Sequence, residues 1–157
     1  MDAILSAFDR EFSLLDERSR KLLAQVPEEK LFLRPREIGY MGMFSCGELI
    51  LRSAALVEKT FGGITTRLWD DPFEWTLPEK LADKKSILCY LDEVEETRKK
   101  AFSFFTSDAD LVREIPAPEK LRRLIDILLD ALGKAMHFQG RAFAVFQMIS
   151  DDKLPRL

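Results

Sequence analysis

Histidine and cysteine are almost missing from this chain of 157 residues, which has His137, Cys46 and Cys89 and no others of either type. A transition-metal site built from three histidines, or from two and a carboxylate, needs more than one imidazole. No Asp/Glu cluster at helical or loop spacing suggests a site for a hard ion either, so neither a metal nor another cofactor is expected. Two cysteines so far apart propose no disulfide framework and no Cys-x-x-Cys pair, and they fit a reduced compartment. Long apolar runs are lacking as well, since none approaches the ~18 residues that span a bilayer. The start, Met1-Asp2-Ala3, carries no basic region followed by an apolar one. A cytoplasmic protein with no membrane partner is therefore expected. An excess of one charge is also missing: 24 Lys and Arg stand against 27 Asp and Glu, a net charge of −3. Nothing in that balance attracts a polyanion, and nucleic acid is not an expected partner. Alternating apolar and polar runs are absent, and Gly and Pro gather between segments of another period, so no strand of any length is predicted.

What the chain does have is apolar residues at helical spacing. Leu5, Phe8, Phe12, Leu15, Leu22 and Val26 step by threes and fours, with Ser19 filling the one gap, and predict a helix over 2–26 that stops near Pro27. Phe32 to Phe44, with Arg34-Pro35, Gly39 and Gly42, reads as a connection. Ser45 followed three residues later by Glu48 is a capping box, and predicts a second helix over 45–61 that Gly62-Gly63 ends. Ile64 to Pro78, with Trp69, Phe73 and Trp75, reads as a long aromatic loop. A third helix is predicted over 83–106, with Asp83 as N-cap and Ile87, Leu91, Val94, Ala101, Phe102 and Phe105 on its inner face, and with Arg98 inside that stripe. Pro118 suits the first turn of a fourth helix over 118–150, its inner face repeating as Leu121, Leu128, Ala135, Ala142 and Ile149 with Ile125, Leu132 and Phe146 between. Four long helices predict a single all-α domain over 1–157, a four-helix bundle whose chain order need not be simple up-down-up-down.

Two segments carry more than helix pattern. Phe44-Ser45-Cys46-Gly47-Glu48-Leu49-Ile50-Leu51-Arg52 and Met136-His137-Phe138-Gln139-Gly140-Arg141 resemble the site-bearing helices of the DinB-like (damage-inducible, YfiT-like) four-helix family, and the likeness extends over nearly the whole chain, including the tail Pro155-Arg156-Leu157. That family often shows Ser-x-Gly-Glu-Leu-x-x-x-His on its second helix and His-x-x-x-His-Arg-Gly-Gln on its last. The resemblance implies a metal site of three histidines and, in some members, a thiol-dependent transferase or isomerase. Position by position, Arg52 stands for the histidine of helix two, Lys134 and Phe138 for the two of helix four, and Arg141 for the glutamine, while His137 matches an extra histidine that binds no metal. Lys and Arg stay protonated and repel a cation, so the same positions predict a member without the metal.

Fixed cations where the family would hold a bound one predict a different partner. Arg52 and Lys134, with Arg141 one turn beyond, would repel each other in a partly dry pocket unless Glu48 or an anionic ligand neutralised them, and Phe138 adds an apolar surface. Guanidinium groups favour carboxylate or phosphate. The expected function is thus binding of a small anionic, partly apolar molecule between helices two and four through Arg52, Lys134, Phe138, Arg141 and Glu48. Two readings compete with it: a thiol-dependent transferase or isomerase, and a non-catalytic interaction protein that acts through its dimer surface.

Each feature also has a plainer explanation. Arg52 and Glu48 are one turn apart and suit an ion pair worth a few tenths of a kcal/mol. Lys134 lies at the border of an apolar arc, where it can bury its stem and keep its head in water. His137 projects toward the polar side and reads as a surface residue. Cys46 falls in a first helical turn, where the dipole lowers a thiol's pKa, yet a lone cysteine is more often a small core residue. Trp69, Phe73 and Trp75 suit loop anchors better than pocket walls. The basic runs Arg98-Lys99-Lys100 and Lys120 to Arg123 read as solvated faces. Gly133 and Gly140 each weaken a helix by about 1 kcal/mol relative to Ala. With Ala144 they form a small-residue face that lets another helix approach, from this chain or from a second copy, and a homodimer is expected.

Overall fold

A computed structural model describes residues 2–35, 37–38, 41–42, 44–72 and 80–156. Four long helices dominate: α1 Ala3–Gln25, α2 Cys46–Thr66, α3 Lys84–Phe102 and α4 Leu124–Ile149. They pack around one core that takes Leu5, Phe12 and Leu22 from α1, Ile50 and Phe61 from α2, Ile87 and Leu91 from α3, and Leu128, Ala135 and Phe146 from α4. The all-α bundle expected from the apolar spacing is the architecture observed. Among the described residues no helix is long and apolar enough to cross a membrane.

The first helix keeps its expected face. Ser19, the polar gap in that face, is buried and accepts a hydrogen bond from the Gln139 amide at 2.7 Å, while the same amide nitrogen donates to the Leu15 carbonyl at 2.6 Å. A buried polar group costs free energy unless paired, and here each group satisfies the other. The start of α1 is capped from far along the chain: the Asp108 carboxylate accepts from the amides of Ile4 at 3.1 Å and Leu5 at 2.9 Å. Asp2, the local cap position, makes no side-chain bond to the helix and instead accepts from the Asp108 amide.

The second helix opens on the complete Ser45/Glu48 capping box. It does not end at Gly62-Gly63. It continues to Thr66 and closes at Arg67, which adopts φ 63° in the left-handed region with its amide donating to the Gly63 carbonyl. Gly63 serves packing rather than termination: a Cβ there would stand 2.2 Å from the Trp69 ring. Trp69 is thus a loop anchor, pressed on α2 and donating from Nε1 to the Pro116 carbonyl at 3.1 Å. Phe73 and Trp75 lie outside the described residues.

Asp83 caps α3 as expected, accepting from the Ser86 amide at 2.7 Å, but the helix ends at Phe102 rather than 106. Arg98 corrects the reading of its basic run as a solvated face. Its side chain is 4% exposed and forms ion pairs with Asp9 and with Glu95, while Lys99 and Lys100 stay exposed. The fourth helix starts six residues later than expected. Pro118 sits in the turn of an antiparallel hairpin whose strands pair Glu114 with Arg123, Ile115 with Arg122 and Pro116 with Leu121. The expectation of no strand is corrected by this three-residue ladder and by a two-residue ladder pairing Glu37–Ile38 with Met41–Gly42, both too short to change the fold class. In the later hairpin Ile115 enters the core, while Leu121, assigned by its spacing to the inner face of a helix, is 59% exposed. Strand pairing satisfies the backbone there, and the single buried aliphatic of the pair, Ile115, seats it.

Among the helices, α2 and α4 share the most extensive contact. Small residues let them approach: the Ser53 hydroxyl donates to the Ala135 carbonyl at 2.9 Å and Cys46 Sγ to the Ala142 carbonyl at 3.6 Å. Gly133 and Gly140 have no part in this seam. Both face outward, with nothing among the described residues within 4 Å of where a Cβ would stand, so the helix that their small face could admit is not one of this chain's described helices.

Candidate functional site

Phe44 precedes the Ser45 cap, and the first two turns of α2 carry Arg52 back beneath it. The Arg52 guanidinium lies 3.9 Å from the centre of the Phe44 ring, and the Arg141 guanidinium, from α4, lies 5.7 Å from the same ring. Arg141 is also 5.8 Å from the centre of the Phe138 ring, one turn before it on α4. Two cations from different helices thus share one aromatic ring, an arrangement each tolerates because the ring presents its negative quadrupole. The structure brings together Arg52, Phe138 and Arg141 of the expected set, and adds Phe44, which the sequence had placed in a connection.

Arg52, Arg141 and Arg34 bring like charges close together at this cluster. Burial lowers the Arg52 pKa, Glu48 opposes that shift, and the neighbouring charges of Arg141 and Arg34 add to it. Glu48 is close enough to act on Arg52 through its charge, but its oxygens are engaged elsewhere. Oε1 takes the Arg34 Nη2 at 2.6 Å and Oε2 accepts from the Ser45 amide at 2.7 Å. The expected Glu48–Arg52 ion pair is therefore replaced by Glu48–Arg34. Burial pushes the Glu48 carboxyl up, yet the bonds from Arg34 and Ser45 outweigh it and hold the group below its ordinary 4.5. Nothing in the sequence marked Arg34, because it comes from the connection and reaches α2 only through the fold.

Lys134 does not join this cluster. Its ammonium pairs with Asp130, one turn earlier, at 2.9 Å, and its side chain is 60% exposed. Arg52 and Phe138 line a small cavity of about 170 Å³ with Ala55, Leu56, Lys59, Asp71 and Pro72. Lys134 lines a larger neighbouring cleft of about 530 Å³ beside Trp69, and Leu56 and Lys59 are common to both. The expected convergence of Arg52 and Lys134 is thus corrected: Arg52 on α2 and Lys134 on α4 line adjoining hollows rather than one.

Cys46 and His137 lie on the same two helices. Burial pushes the Cys46 thiol up to about 12, overriding the helix dipole, so at neutral pH it is a protonated core group bonded to a carbonyl. His137 is exposed, its ring edge-on to Phe138 at 5.9 Å. The residues at the family's metal positions do not fit a metal: Arg52 and Lys134 are cations and Phe138 has no donor atom. Among the described residues no group of three or more His, Cys, Asp or Glu stands together. Comparison with protein-family models, with curated proteins and with solved structures returned no match.

Proposed function

We propose that this protein is a DinB-like bundle in which the metal is replaced by fixed cations, and that it binds a small anionic, partly apolar molecule where α2 meets α4. One observation carries the reading: Arg52 and Arg141 both approach the Phe44 ring beside Phe138, with Arg34 nearby and Glu48 bonded to Arg34. A carboxylate or phosphate reaching the two guanidinium groups relieves their repulsion, and the aromatic edges accept its apolar part. Thermal-shift screening of small carboxylates and phosphates tests this. At about 100 times Kd a ligand adds about 2.7 kcal/mol, which is about 5–10 °C in Tm for a chain of this size. The shift is expected in the wild type and absent in Arg52→Ala and Arg141→Ala, and an anion that stabilises all three proteins equally would refute the site.

A second reading concerns association, and a specific surface favours it. Leu129, Gly133, Met136, Gly140, Ala144 and Met148 follow one another at steps of three and four along the outer side of α4, all exposed. We infer that a second copy covers this stripe, as closed two-fold pairs are the commonest assembly and close-packed glycines need a facing helix. Light scattering is expected to give twice the chain mass of 18.1 kDa, and Gly140→Leu to return a single chain. A wild type that scatters as one chain at micromolar concentration removes the reading.

A further inference from the structure

The cleft that holds Lys134 is walled by four separate parts of the chain and adjoins the hollow that Arg52 lines. Leu56 and Lys59 come from α2, Ile127, Asp130, Ala131 and Lys134 from α4, and Arg122 from the hairpin, with Trp69 closing one side. Its volume, about 530 Å³, lies in the range of small-molecule sites, about 300–1,000 Å³. The walls are fixed before any ligand arrives. Trp69 is held against Gly63 and bonded to the Pro116 carbonyl, and the hairpin turn is closed by the Ala117 amide donating to the Lys120 carbonyl at 3.0 Å.

Its charge is nearly balanced, and the remainder is informative. Four cations, Lys59, Lys120, Arg122 and Lys134, line the cleft with two carboxylates, Glu119 and Asp130. Asp71 takes Lys59 at 2.6 Å, which leaves one positive charge over among the described residues. That charge has a location. Lys134 at 2.9 Å and Arg122 at 3.6 Å both lean on the single Asp130 carboxylate, and a second Arg122 nitrogen donates to the Asp126 carbonyl at 3.2 Å. Opposite these groups the surface is apolar, with Leu56, Ile127, Ala131 and the indole. An indole favours an aromatic partner stacked with an offset or edge-on.

We propose that this cleft is a binding site for a small aromatic monocarboxylate, its ring against Trp69 and its carboxylate between Arg122 and Lys134. A single negative charge matches the surplus, whereas a phosphate monoester, with a charge near −2 at neutral pH, overfills it. The apolar floor and the indole exclude acetate as a complete ligand, and the paired cations exclude a neutral ring.

Fluorescence titration of the full chain tests the proposal in a Trp75→Phe background, where Trp69 is the one remaining tryptophan of the two in the sequence. Phenylacetate is expected to change the Trp69 emission saturably. Acetate and 2-phenylethanol are expected to bind at least about tenfold more weakly, as each lacks one half of the recognition. Arg122→Ala with Lys134→Ala is expected to weaken phenylacetate by about tenfold or more, and Arg10→Ala, on an exposed side chain, to leave it unchanged. Calorimetry on the unmodified chain gives a second readout if the Trp75 change impairs folding. Absence of saturable phenylacetate binding, or equal binding by the double variant, overturns the site. Phenyl phosphate binding as tightly as phenylacetate overturns the monocarboxylate assignment. Because this readout is local to Trp69, its failure is separable from failure of the Arg52 screen.

Discussion

Phe61→Ala is expected to lower the unfolding free energy by about 4 kcal/mol, in the range of large aromatic truncations. Phe61 is completely buried and joins three helices. Its ring meets Phe12 of α1 edge-on at 4.9 Å and Phe102 of α3 at 5.4 Å. Truncation removes the burial of one ring and leaves a cavity that neither neighbour can fill, because both are packed from behind by their own helices. Globular domains are stable by about 5–15 kcal/mol, so the loss is a large share of the total. Chemical denaturation gives the comparison directly. Phe104→Ala, at a position 60% exposed, is the matching control and should change stability by less than about 0.5 kcal/mol. Equal losses in the two variants would mean that the aromatic junction is not the centre of the core.

Arg98→Ala is expected to cost about 3 kcal/mol, at the lower end for breaking a buried ion pair. Nη2 and Nε bind the Glu95 carboxylate at 2.6 and 2.8 Å, and Nη1 reaches Asp9 on α1. Removal strands a mostly buried carboxylate, while partial exposure of Asp9 at 35% moderates the loss. A pH series separates this from simple loss of packing. Burial raises the Glu95 pKa, but the Arg98 bond and the charges of Arg98 and Lys99 outweigh it and hold the carboxyl below its ordinary 4.5. A depressed carboxylate stabilises above its unfolded value and loses that contribution as pH falls through the folded one. The gap between wild type and Arg98→Ala should therefore shrink below pH 4.5. Asp16 acts in the opposite sense: burial raises it above 3.8 despite Arg20 and Arg98, so its contribution is present below that value and lost as pH rises through the folded pKa. A gap that stays constant down to pH 3 would assign the Arg98 effect to volume alone.

Local signals were read correctly wherever one segment could satisfy itself. The Ser45/Glu48 box and the Asp83 cap close bonds within three residues, and the inner face of α1 needed only the period of its apolar residues. The same signals failed where a distant segment supplied the deciding contact. Gly63 resembles a helix stop because glycine is a poor helix former, yet here it makes room for Trp69. Pro118 suits a first helical turn equally well as a hairpin turn, and Ile115 entering the core decides for the hairpin. Arg98 looked solvated beside two lysines until Asp9, on another helix, and Glu95 enclosed it.

The candidate sites divide in the same way. Phe138 and Arg141 were legible because positions three apart share a helix face, and Arg52 came from the resemblance of the second helix, whereas Phe44 and Arg34 reach them only through the path of the connection. Lys134 followed its spacing onto the same helix, but Asp130 and the hairpin drew it into a different hollow. By itself the sequence determined the four helices, the buried face of the first and the absence of metal-binding side chains at three positions, since those follow from residue type and period. Only the tertiary structure decided which cations meet, which carboxylates are already engaged and which aromatic ring closes a cleft, because charge balance and shape depend on separate elements being held within a few ångströms, as Arg52 of α2 and Arg141 of α4 are at the Phe44 ring.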